Sequence, residues 1–266
     1  MTRKTIALGF AILACGITTG AAQGGPGNDG DSTGAPPAED VTNQPSLFRR
    51  AMQDQKGIYA APFHRRNVKW DLLFLAATGG LIAADKHISE ELPRGHAGVS
   101  EDISNIGLYS MVATASGLWL SHFKSHGVHS RETGILAAEA FANTAAVYAL
   151  TQLMTGRERP TEANGSGHFF QNNALSSSFP SGHSSFTWAI ASVLAHEYPK
   201  PWVRWLAYGA ASTVSVTRMT SFRHFSADVA VGGLFGYLIG QRIFHAHCVS
   251  GLTSGCHTSG KSGTTN

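Results

Sequence analysis

Apolar residues recur at three- and four-residue spacing along most of the chain, and no stretch alternates with the period of two that a half-buried strand requires. The pattern predicts six helices, over about Trp70–Ala84, Ile103–Phe123, Thr133–Thr155, Ser181 to just before Pro199, Trp202–Thr220 and Ser226–His245. Gly and Pro punctuate the joins between them. A shorter amphipathic helix over Ser46–Gln55 puts Leu47, Phe48, Ala51 and Met52 on one side, and with Ile58–Phe63 it reads as an N-terminal cover. The expected fold class is all-α, a helical bundle of about six core helices.

The ends of the chain differ from this middle. Residues 1–22 have the form of a signal peptide: Arg3 and Lys4 first, an apolar stretch from Ile6 to Cys15, and Gly20-Ala21-Ala22 as a cleavage point. A retained anchor and lipoprotein processing at Cys15 are the alternatives. Residues 23–45 are rich in Gly, Pro, Asp and Thr with almost nothing to bury, which predicts a disordered linker. The helical domain is then 46–247, and 248–266 a flexible tail. With a signal removed, Cys248 and Cys256 remain, and in an oxidising compartment they are expected to pair. His245, His247 and His257 beside them leave a metal site as the alternative reading.

A formal net charge of +3 and the lack of a Lys/Arg run interleaved with aromatics argue against nucleic acid as a partner. Mean hydropathy is −0.06, low for six membrane spans. The second predicted helix joins spanning length to little charge, but the first, fifth and sixth have apolar stretches well below the ~20 residues a span needs, and Glu139 and Asn143, one turn apart in the third, are costly in lipid unless they face the bundle. These features favour an exported bundle, periplasmic or elsewhere in the cell envelope, that touches the membrane surface, with an integral bundle as the alternative. His122, His126 and His129 have metal-like spacing, but no carboxylate-bearing metalloenzyme motif surrounds them. Neither a Gly-x-Ser-x-Gly elbow nor a Walker-type loop occurs.

Three short clusters carry the candidate chemistry. Arg159-Pro160 follows the third helix. Pro180-Ser181-Gly182-His183 opens the fourth, with Ser181 able to cap it, Gly182 allowing close backbone approach to an anion, and free first-turn amides backed by the helix dipole. Thr217-Arg218 ends the fifth, and His224 and Asp228, four residues apart, meet on the sixth. Guanidinium groups grip phosphate oxygens in bidentate fashion, and a carboxylate on one imidazole nitrogen leaves the other as a nucleophile. Arg157 reads either as a second anion contact or as a solvated charge. Phe169 and Phe170, in the 161–179 segment, read either as an apolar lid or as core.

In order and spacing these clusters resemble the superfamily of type-2 phosphatidic acid phosphatases and vanadium haloperoxidases. Its pattern is Lys, six residues, Arg-Pro; then Pro-Ser-Gly-His; then Ser-Arg, five residues, His, three residues, Asp. The second cluster matches in full; Thr217 stands for Ser in the third; and Gln152 occupies the position of the family's Lys. The resemblance implies a phosphate monoesterase, on lipid phosphates or pyrophosphates among other substrates. In that scheme His224 attacks phosphorus, Asp228 orients it, and His183 protonates the leaving alcohol and then activates water. Arg159, Arg218, Ser181, the Gly182 amide and Gln152 hold the phosphoryl oxygens. No metal or cofactor is implied, because arginines and amides supply the countercharge. The rivals are a vanadium-dependent haloperoxidase and a non-catalytic anion-binding or membrane-scaffold protein retaining the fold.

Overall fold

The computed structural model describes residues 47–249 except 66, 126, 174 and 175, together with Thr253 and Cys256. The signal-peptide and linker expectations lie outside the described residues, as does most of the tail. Among the described residues the elements are helical and no strand occurs. They are α1 (Leu47–Ala60), a 3-10 turn (Ala61–Phe63), α2 (Val68–Glu91), α3 (Ala97–Ser125), α4 (Val128–Thr155), α5 (Gly182–Glu197), α6 (Pro201–Thr220) and α7 (Ser226–His247). The all-α bundle expected from the periodicity is the fold observed.

The central element is α5, whose Ala189, Ile190, Ala191 and Val193 are shielded almost entirely from solvent. Its closest neighbour is α7, and the approach depends on glycine. A methyl group at Gly232 would lie 2.6 Å from the Ser181 carbonyl oxygen, and one at Gly236 would run into the Ser185 carbonyl. Side chains there would push the helices apart and separate their N-termini, which carry Ser181 and Asp228. The Ser181 amide donates to the Asp228 carbonyl at 2.9 Å, tying the two starts together.

Helix ends alternate between two rims. The last turns of α2, α4 and α6 and the first turns of α3, α5 and α7 share one rim, as the contacts of Asp85, Gln152, Arg218, Ser104, His183 and Asp228 described below establish. At the opposite rim α1 covers the polar positions of α4. Arg50 donates to Glu139 at 2.9 Å, and Gln55 donates to Asn143 Oδ1 at 2.7 Å, so both polar residues of α4 face protein. His247 meets Asp54 there, and His129 meets Glu197 at 2.7 Å. The expected Cys248–Cys256 disulfide is formed, and Thr253 within its loop donates to Glu197. No group of metal-binding side chains occurs among the described residues, and His126 and His257 lie outside them.

Candidate active site

The 156–181 segment begins where Gly156 ends α4 in the left-handed conformation, at φ 49°, which suits a residue without a side chain. From there the chain turns under α7, and Arg157 enters the protein interior. Its guanidinium donates to Asp228 Oδ1 at 2.6 Å, to Asp85 Oδ2 at 2.8 Å and to the Gly167 carbonyl at 3.1 Å. The rings of Phe169 and Phe225 lie over it, with centroids 4.9 and 4.4 Å from its central carbon. Asp85 in turn accepts from Ser226 Oγ and the Ala227 amide in the first turn of α7. Arg157 is therefore neither the solvated charge nor the second anion contact that the sequence allowed, but the centre of a fully buried ionic network.

The Pro180-Ser181-Gly182-His183 turn is pinned from behind. Thr155 Oγ1 donates to the Phe179 carbonyl at 2.9 Å, and Gln152 Nε2 lies 3.2 Å from the carbonyls of Phe179 and Pro180. Gln152 is completely buried, and its only donor group is spent on these carbonyls, so the direct phosphate contact expected of it is not what the structure places there. Ser181 occupies the N-cap position of α5, yet its hydroxyl makes no cap hydrogen bond. That oxygen is buried and has no partner among the described residues. Gly182 is required by crowding as much as by flexibility, since a methyl group there would lie 3.0 Å from the Tyr148 ring.

His224 sits in the loop between α6 and α7. Its Nδ1 lies 2.7 Å from the Ser178 carbonyl and 3.8 Å from Asp228 Oδ2. A carbonyl only accepts, so Nδ1 carries the proton and Nε2 is left as a bare nitrogen. The expected direct pairing with Asp228 is replaced by this carbonyl. Asp228 is engaged elsewhere, with Oδ1 on Arg157 and Oδ2 accepting from the Phe225 amide at 2.8 Å, and it acts on His224 by fixing the loop that carries it. Burial, then the nearby Arg218 and Arg159 charges, hold the His224 pKa well below its ordinary value, outweighing the hydrogen bond to Ser178. The imidazole is therefore neutral at neutral pH.

Arg218 and Arg159 both bear electrostatically on His183 and His224. Arg218 is buried; its Nη1 donates to Ser104 Oγ at 3.2 Å, and its Nε has no partner among the described residues. Arg159 is half-buried and donates to the Arg223 carbonyl at 3.0 Å. Thr217 stays outside, its hydroxyl bonded back to Thr213 and Val214 of its own helix. The apolar pair divides: Phe169 packs on Arg157 and edge-on to Phe179, whereas Phe170 is 79% exposed at φ 63°.

Several residues of the site were invisible in the motif clusters. Asn105 Oδ1 of α3 accepts from His183 Nε2 at 2.9 Å, Ser104 holds Arg218, Tyr148 lines the back of Gly182, and Asp85 anchors Arg157. Ordinary polar residues in a helix carry no spacing signal of their own.

Comparison with known proteins agrees with the motif. The sequence model of the PAP2 superfamily matches residues 133–250, a region that contains every site residue named above except Asp85, Ser104 and Asn105. The match is to the superfamily that the three clusters resemble. A curated relative, the lipid A 1-phosphatase of Porphyromonas gingivalis, is 31% identical over 77 residues, covering 28% of this chain and 17% of the relative. The match thus spans less than a fifth of that protein's length. Among solved structures, a transmembrane PAP2 type phosphatidylglycerolphosphate phosphatase from Bacillus subtilis aligns with 74% of this chain and 92% of its own, at 22% identity and a TM-score of 0.46.

Proposed function

We propose that this protein is a phosphatase that hydrolyses lipid phosphate monoesters through a covalent phosphohistidine. The observation that carries the reading is His224: a neutral imidazole whose Nδ1–H is fixed by the Ser178 carbonyl, leaving Nε2 bare in the field of Arg218 and Arg159. The same rim holds the Ser181 hydroxyl and the Arg218 Nε, both without a partner among the described residues, and the amide end of α5. These are donors arranged for an oxyanion, and they act where charge accumulates on the phosphoryl group. In the first step Nε2 forms a bond to phosphorus while the bond to the alcohol oxygen breaks, and His183 gives that oxygen a proton. In the second, His183 takes a proton from water, the hydroxide attacks phosphorus, the P–N bond breaks, and inorganic phosphate leaves.

The lipid part of the proposal rests on the flank of the bundle. Trp70, Leu72, Leu73 and Leu75 on α2, Ile106 and Phe123 on α3, Leu153 and Met154 on α4, and Trp202, Trp205 and Leu206 on α6 are exposed, Trp205 by 81%. An apolar surface spread over this many helices is costly in water. Its presence supports insertion into a bilayer rather than the surface contact favoured by mean hydropathy. Among the described residues one helix, Val128–Thr155, is long and apolar enough on its own to cross a membrane.

The test is a panel of substrates for the purified full-length protein in detergent. Hydrolysis of p-nitrophenyl phosphate and phosphatidate is expected. Bromide oxidation with added vanadate in its place would make the protein a haloperoxidase, and neither activity would leave the non-catalytic reading.

A further inference from the structure

The acid assigned to His183 requires that its ring be held in one orientation, and no part of the PAP2-matched region supplies that hold. His183 is the second residue of α5, so its backbone is fixed, but the imidazole still rotates about its own bonds. Among the described residues, Asn105 Oδ1 is the hydrogen-bond partner of the ring, at 2.9 Å from Nε2. We infer that Asn105 is a positioning residue for His183: it keeps a proton on Nε2 and directs Nδ1, the nitrogen that gives and takes the catalytic proton, at the leaving oxygen.

Asn105 is placed to do this because the first turns of α3 are fastened to the end of α6. Thr220 Oγ1 donates to Ser100 Oγ at 2.8 Å, Arg218 Nη1 to Ser104 Oγ at 3.2 Å, and Arg223 Nη2 to Glu101 Oε2 at 2.9 Å. The exposed Arg223–Glu101 pair adds little by itself. The buried Arg218–Ser104 contact one residue before Asn105 couples the acid's holder to the oxyanion's. The same turn of α3 thus sets both the cation and the acid.

The chemistry favours an amide over the other polar side chains. During turnover the ring alternates between imidazole and imidazolium at Nδ1, while Nε2 remains protonated and needs an acceptor in both states. A carboxylate would accept equally well but would hold the second proton on the ring by its charge, whereas an apolar residue would leave Nε2–H without a partner. The neutral carbonyl of a carboxamide accepts without biasing the ring so strongly toward its charged form. Through Asn105, the acid keeps its tautomer by the same means as His224 does through the Ser178 carbonyl.

This inference rests on the phosphatase reading, and the experiment separates the two. Wild type, Asn105→Leu, His183→Ala and the double variant are assayed as full-length protein on p-nitrophenyl phosphate, whose leaving group needs no proton, and on phosphatidate, whose leaving group does. Asn105→Leu is expected to lower kcat/KM on phosphatidate by about tenfold, a fraction of the 10²–10⁴ that general acid catalysis supplies, with kcat/KM on the aryl ester largely kept, because kcat/KM reports formation of the phosphohistidine and not the water step that both esters share. In the His183→Ala background it is expected to add nothing further. Equal losses of kcat/KM on both esters, or a multiplicative loss in the double variant, would overturn the assignment and leave Asn105 a structural contact. Absence of wild-type turnover on both esters would remove the phosphatase reading, and the role of Asn105 with it.

Discussion

Replacing Arg157 with methionine should destabilise the protein severely. The variant strips the shared partner from Asp85 and Asp228, two carboxylates with no solvent access, and removes the cation from between Phe169 and Phe225. Breaking a buried ion pair by deleting one member costs about 3–5 kcal/mol, because the remaining charge stays desolvated. Here two charges remain, although protonation of one carboxylate relieves part of the penalty, so about 4 kcal/mol is a reasonable central value. For a domain of this size that corresponds to a fall in Tm of about 8–16 °C. The assay is thermal unfolding of the full-length protein at neutral pH, with Arg159→Met as the reference. Arg159 is half-buried and free of carboxylate partners of this kind, so its loss should abolish most activity while moving Tm by only a few degrees. An Arg157→Met protein that melts within about 2 °C of wild type but binds phosphate esters much more weakly would refute the argument. It would return Arg157 to the role of an anion contact.

Other expectations follow from the same geometry. His183→Ala should reduce kcat/KM for alkyl esters by about 10²–10⁴-fold and largely spare kcat/KM for activated aryl esters, and equal losses of kcat/KM on both would remove His183 from acid catalysis. Because the folded His224 pKa is depressed below the unfolded value of about 6.5, the unfolded chain binds the proton first, so its contribution to stability is complete above that pH and declines below it. By the same sign the limb of kcat/KM that reports loss of the nucleophile should lie below pH 6.5, and a limb at or above that value assigned to His224 by its loss in a variant would contradict the burial argument. Gln152→Lys places a positive charge behind the Pro180–Ser181 turn and keeps a donor for the two carbonyls; kcat/KM should rise by about one decade, and unchanged kinetics in a well-folded protein would confine position 152 to support of the turn.

What the sequence disclosed, and what it withheld, follows from the range of the interactions. Helix periodicity is local, and the all-α bundle was legible from it; the observed starts and ends depart where polar turns belong to the site. The second predicted helix began at Ile103, whereas α3 begins at Ala97, and its first turns carry Ser100, Glu101 and Ser104 to Thr220, Arg223 and Arg218. The first predicted helix stopped at Ala84 because Asp85 and Lys86 ended the apolar run, whereas Asp85 continues α2 into contact with Arg157, 72 residues away. The motif brought out His183, His224, Arg159, Arg218 and Ser181, which the structure gathers at one rim. It misplaced the partner of His224, because spacing of four residues suggested Asp228 while a carbonyl 46 residues upstream takes the bond. Backbone acceptors leave no trace in side-chain patterns.

The central claim is that His224 Nε2 takes the phosphoryl group. Brief reaction of the full-length protein with a radiolabelled phosphate ester, followed by a denaturing quench in base and mass spectrometry of the fragments, reads this directly. The expected result is a base-stable, acid-labile phosphoramidate on His224, absent from His224→Ala. Rapid turnover with no trapped adduct, a phosphoryl group on another residue, or full activity in His224→Ala would contradict it.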